Sequence, residues 1–142
     1  MAAAHPWRDL RGRDHVVVSW RPDMPEGVRA ATNGDDIIWM STRLLQVQRR
    51  CSLQHELTHL DFGHDGCQSE KDEARVRKLT AQALIHRDDL IAALQWAMSL
   101  EECADELWVT PEVLRDRIHF MHPSERLLIA AAVQAGKEHH AD

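Results

Sequence analysis

The sequence predicts an α+β fold: a small antiparallel sheet or hairpin, then a helix built around HExxH, then a mainly helical C-terminal half. Three observations carry this. Residues 15–20 (HVVVSW) form an unbroken β-branched run, and residues 28–32 and 37–40 flank an Asn33-Gly34 pair that tolerates the positive φ angles of a tight hairpin turn. No Pro or Gly interrupts residues 44–62, long enough for a continuous helix. Beyond residue 68, helix-start signals recur: Ser69 with Asp72, Ser99 with Glu102, Thr110-Pro111 and Pro123-Ser124. At 142 residues the chain reads as a single domain, 1–142, able to bury about two-thirds of its unfolded surface. Within it, 1–40 is β-rich, 41–86 carries the helices around the motif, 87–136 a helical hairpin and a C-terminal helix, and 137–142 a tail.

Taken in order, residues 1–14, with Pro6 and Trp7, give a loose or short helical lead-in. Residues 15–20 are a strand, and 21–27, with Pro22, Pro25 and Gly27, a loop. The outer strand of the following hairpin could pair with an extended peptide, or stand as an edge without a ligand. Ser41 or Thr42 is expected to cap the next helix, and Gly63 and Gly66 mark the loop after it. Further helices are expected from Ser69 to about residue 85, over 88–98, from Ser99 to 107, from Thr110-Pro111 to about 121, and from Pro123 to near Gly136. The tail histidines, His139 and His140, read as solvated.

Composition narrows the function. Cys51, Cys67 and Cys103 cannot all pair within the chain and form no CxxC, which disfavours a disulfide scaffold and points to free thiols in a reducing compartment. The first residues lack the pattern of a signal peptide, and the longest apolar run, 127–133, is too short to span a bilayer, so a soluble cytoplasmic protein is expected. A formal charge of −6 offers no broad field for a phosphate backbone.

The chemistry centres on His55-Glu56-Leu57-Thr58-His59. Positions four apart share a helix face, so His55 and His59 can aim two imidazoles at one ion, and Glu56 can act as a base toward water on it. A catalytic zinc usually takes a third protein ligand. A third His ten residues after the first fails on register, because that position is Asp65 and His64 is one short; both stay open by position. The other route is a carboxylate on the next helix. At 3.6 residues per turn Glu73 falls with Val76, Leu79, Thr80, Ala83 and Leu84, opposite Arg75, Lys78 and Gln82. A carboxylate on a core-facing stripe needs a cation, either the ion held by the neighbouring helix or Arg77 one turn on.

The segment 49–60 (RRCSLQHELTHL), with Glu73-x-x-Val76 and Thr80-Ala81-x-x-Leu84-Ile85 after it, resembles the ImmA/IrrE family of bacterial and phage-associated metallopeptidases over about residues 34–118. The resemblance implies a Zn²⁺ site of His55, His59 and Glu73, with Glu56 as catalytic base. It also implies a narrow protein substrate, a helix-turn-helix transcriptional repressor cleaved to relieve repression. The chain departs from the family pattern at Arg77, where an Asp or Asn is common. The alternative is a non-catalytic regulatory module that binds a repressor or DNA without cutting.

Residues 102–118 themselves look like a helix-turn-helix, with Arg115, Arg117 and His119 as candidates for a groove-facing surface. Six acids against two arginines over 99–121 disfavour DNA binding, and Trp108 replaces the small residue expected at the turn. A hairpin packed on the core is the better reading. The five tryptophans are expected as core or rim packing, and Arg43, Arg49 and Arg50 as a solvated face.

Overall fold

A computed structural model describes residues 3–66 and 68–140, with side chains as far as residue 138, so Cys67 and the side chains of His139 and His140 lie outside the described residues. The element order is α1 (Pro6–Arg11), β1 (Val17–Arg21), β2 (Ala30–Thr32), β3 (Ile37–Ser41), α2 (Gln46–Asp61), α3 (Glu70–Leu84), α4 (Arg87–Trp96), α5 (Leu100–Leu107), α6 (Pro111–His119) and α7 (Pro123–His140). The architecture is α+β, with a mainly helical C-terminal half.

The sheet is mixed, which corrects the expectation of an antiparallel one. Its order is β1-β3-β2. β2 and β3 form the antiparallel hairpin, Ala30 opposite Met40 and Thr32 opposite Ile38, whereas β1 runs parallel to β3 with Val17 beside Ile37. The chain leaving β1 passes to the far edge, lays down β2, and returns through the hairpin into the central slot. Asn33-Gly34 dictates only the local reversal, so the direction of β1 was not encoded there. The turn is also wider than a two-residue loop. Asn33 Oδ1 accepts from the N–H groups of Asp35, Asp36 and Ile37 at 3.0, 3.0 and 3.1 Å, and only Gly34 in it has a positive φ, 77°.

α2 runs between two cores. On one side Leu53 and Leu57 pack with Val16, Ile38 and Met40 of the sheet; on the other Cys51 joins Leu84, Leu90, Cys103, Leu114 and Ile129 from the C-terminal helices. Leu53 and Leu57 are fully buried, each contributing roughly 1.5–3 kcal/mol. Such burial on opposite faces explains why the helix shows no simple amphipathic stripe.

Helix starts follow the cap chemistry at three places: Ser69 Oγ accepts from Asp72 N–H at 3.2 Å, Ser99 Oγ from Glu102 N–H at 3.1 Å, and Thr110 Oγ1 from Val113 N–H at 3.4 Å. The cap expected at Ser41 or Thr42 is not there. Ser41 ends β3, and α2 starts after Leu45, whose N–H donates to Gln48 Oε1 at 2.9 Å. α4 stops at Trp96 rather than 98, and α7 continues through Gly136 to His140. Gly136 is a close approach, since a Cβ there would collide with the Gln95 side chain of α4.

Two expected surfaces are otherwise employed. Arg117 is buried, with Nε donating to Ile85 O at 2.9 Å and Nη2 paired to Glu125 at 2.6 Å, so it presents nothing to a groove. Arg49 Nε donates to Leu44 O at 3.0 Å and Arg50 Nη1 to Trp108 O at 2.6 Å, stapling α2 to its surroundings rather than forming a solvated face. Trp7 and Trp20 stack at 6.1 Å, while Trp96 and Trp108 are exposed. No helix among the described residues is long and apolar enough to cross a membrane.

Candidate metal centre

The two histidines lie one turn apart on α2, and Gly63 (φ 65°) and Gly66 (φ 74°) let the chain reverse so that α3 packs back on α2. Val76 is buried in that contact, and Thr80 Oγ1 lies 3.5 Å from Thr58 Oγ1. The cap at Ser69 starts α3 in the register that puts Glu73 beside both rings. His55 Nε2 and His59 Nε2 are 3.2 Å apart, with Glu73 Oε2 3.6 Å from the first and Oε1 3.2 Å from the second.

These three residues can hold a metal ion; one ligand atom from each lies within 4.8 Å of the others. The spacing provides a sharper test. Zinc bonds of about 2.0–2.1 Å place tetrahedral ligand atoms about 3.3–3.4 Å apart; the two Nε2 atoms, at 3.2 Å, lie close to that value, while Glu73 approaches His59 with Oε1 at 3.2 Å and His55 with Oε2 at 3.6 Å, one carboxylate oxygen toward each ring. Protonation agrees. Burial and the neighbouring His59 hold His55 down at about 4, and burial also lowers His59, so both rings are neutral near pH 7, the form that donates a lone pair. Glu73 lies against the two neutral rings, and among the described residues no salt bridge joins it to Arg77.

Glu56 stands apart from the ligand group. It is buried, and desolvation first, then the Glu73 charge, raises its carboxyl to about 7. With His55 it lines a cleft of about 370 Å³ between the β2 edge, α2, α3 and the start of α6. The far side of this cleft was not legible as site in the sequence. Glu112 and Asp116, counted only as charge against DNA, line it, and Glu112 meets Arg29 at 3.5 Å.

The other candidates are placed elsewhere. His64 is outside the ligand group, with its Nδ1 3.0 Å from His59 Nδ1. Asp65 is likewise not in that group. Arg77 lines the cleft with its guanidinium 5.7 Å from the Phe120 ring centre. Comparison with known proteins brings no match: no family model, no curated protein and no solved structure matches the chain.

Proposed function

We propose that this chain is a zinc-dependent metallo-endopeptidase acting in the cytoplasm, and that, as its resemblance to the ImmA/IrrE peptidases implies, its substrate is a helix-turn-helix repressor whose cleavage relieves repression. The observation that supports this most is the convergence of His55, His59 and Glu73, with one ligand atom of each within 4.8 Å of the others, beside a buried Glu56 outside that group.

The three ligand residues would hold the zinc, which when bound supplies Lewis acidity to a peptide carbonyl and acidifies water. The remaining steps fall to the chain itself. The cleft receives an extended backbone beside β2, whose outer edge has main-chain groups to offer. Glu56 takes the proton of the attacking water on its carboxylate and returns it to the departing amine nitrogen. Its burial keeps bulk water from competing for that proton.

Two measurements test this. Purified protein should carry one zinc per chain and lose it in His55→Ala, and Glu56→Gln should keep the zinc while losing cleavage of a cognate repressor by roughly a hundredfold or more. Full cleavage by Glu56→Gln would sink the assignment. A second reading, a binding module that does not cut, draws on Arg77 at the cleft wall; zinc retained with no cleavage by the wild type would favour it.

A further inference from the structure

A metal-ligating imidazole is oriented by whatever its second ring nitrogen touches. In His59, Nε2 faces His55 and Glu73, which leaves Nδ1 on the opposite edge, 3.0 Å from His64 Nδ1. Two ring nitrogens at that distance share one proton. If His59 carries it, its Nε2 lone pair is free for a metal, and His64 accepts with Nδ1 while its own proton sits on Nε2.

His64 is held from three sides. Its backbone N–H donates to the His59 carbonyl at 3.0 Å, fixing the chain as α2 ends. Its ring stacks on Phe62, with centres 5.3 Å apart and planes inclined at 22°, and Phe62 in turn lies under the Arg75 guanidinium at 4.5 Å. The hairpin loop presses on its main chain: a Cβ at Gly34 would collide with the His64 carbonyl, and Gly34 has a φ of 77° besides. The Asn33-Gly34 turn, the end of α2 and the exposed face of α3 thus meet at one residue. Arg77, which has no acceptor atom, cannot orient a ligand ring, and among the described residues no partner is seen at His55 Nδ1.

We propose that His64 is a positioning residue that sets the tautomer and orientation of His59, and that Gly34, Phe62 and Arg75 hold it in place to do so. The inference rests on the zinc reading above and adds the group that tunes the affinity.

The test is zinc affinity of the full chain, by competition with a chromophoric chelator, together with the visible spectrum of the Co²⁺ form and the melting temperature of the metal-free protein. His64→Leu keeps the bulk and removes the acceptor; it should weaken zinc roughly 10- to 100-fold and alter the Co²⁺ spectrum. His64→Asn places an amide oxygen near the former Nδ1 and should restore most of the affinity. Phe62→Leu leaves the acceptor but not its support, and should weaken zinc by less than His64→Leu does. Metal-free melting temperatures that move in step with zinc affinity, and no rescue by Asn, would reduce His64 to packing. Wild-type affinity in His64→Leu overturns this inference alone, whereas a wild type that binds no zinc, or zinc indifferent to His55→Ala, overturns the metal centre with it.

Discussion

His55 and Glu56, adjacent on α2, pull the stability of the metal-free protein in opposite directions. His55 is depressed from 6.5 to about 4, so its contribution is full above the unfolded value and is lost as pH falls through the folded one. Glu56 is raised from 4.5 to about 7, so its contribution is full below the unfolded value and is lost as pH rises through the folded one. Between pH 6.5 and 4.5 acidification therefore weakens the fold through His55, joined by His59, which burial also lowers, and strengthens it through Glu56, by roughly 2 kcal/mol each for His55 and Glu56 at up to about 1.4 kcal/mol per pH unit. The chelated wild type should therefore lose only part of what the two histidines cost it across that window, read as a modest fall in its urea midpoint. Glu56→Gln removes the offset and should lose roughly 2 kcal/mol more than wild type on going from pH 6.5 to 4.5; a curve parallel to wild type would mean that burial does not shift Glu56 as described. Glu73 was legible because a helical wheel needs only the spacing of Val76, Thr80 and Leu84. The role of His64 was not, since counting from His55 presents it as a failed ligand and nothing local shows that its ring folds back onto His59.

Among the elements, the tie from α6 to the residue after α3 and to the start of α7 runs through Arg117. Its side chain is 5% exposed and Nη1 has no partner, so Glu125 and the Ile85 carbonyl carry the whole compensation for burying that charge. Glu125→Ala leaves the cation stranded and should cost roughly 3 kcal/mol, read as a lower midpoint in urea, whereas Arg117→Met with Glu125→Leu should cost distinctly less, because breaking a buried pair is worse than replacing it. Equal losses in the two proteins would show that packing, not charge, governs the site. Helices α3, α5 and α6 were legible because Ser69, Ser99 and Thr110 act within three residues of themselves. The start of α2 was not, because Leu45 has no side-chain oxygen and Gln48 satisfies its N–H instead. Nor was the direction of β1, fixed by where the chain crosses, nor the path of α7 past Gly136, fixed by Gln95 of another helix.

For the molecule as a whole, α2 is the shared wall of both cores, and the candidate ligands tie it to α3, the first element of the C-terminal half. An ion bound there engages groups the unfolded chain does not hold together, so on the proposed function zinc must stabilise the entire fold by mass action. Free zinc at a hundred times its dissociation constant contributes about 2.7 kcal/mol, which for a domain of this size raises the melting temperature by roughly 8–12 °C. The shift should disappear on chelation and in Glu73→Ala, where the carboxylate from α3 is gone while the histidines remain. It should persist in Glu56→Gln, whose side chain lines the cleft without joining the ligands. That pair of variants separates a three-ligand site spanning two helices from casual zinc binding by the HExxH histidines alone: a zinc-induced rise undiminished in Glu73→Ala would show that α3 contributes nothing to the ion, and with it would go the link between the two halves of the chain on which the peptidase reading stands.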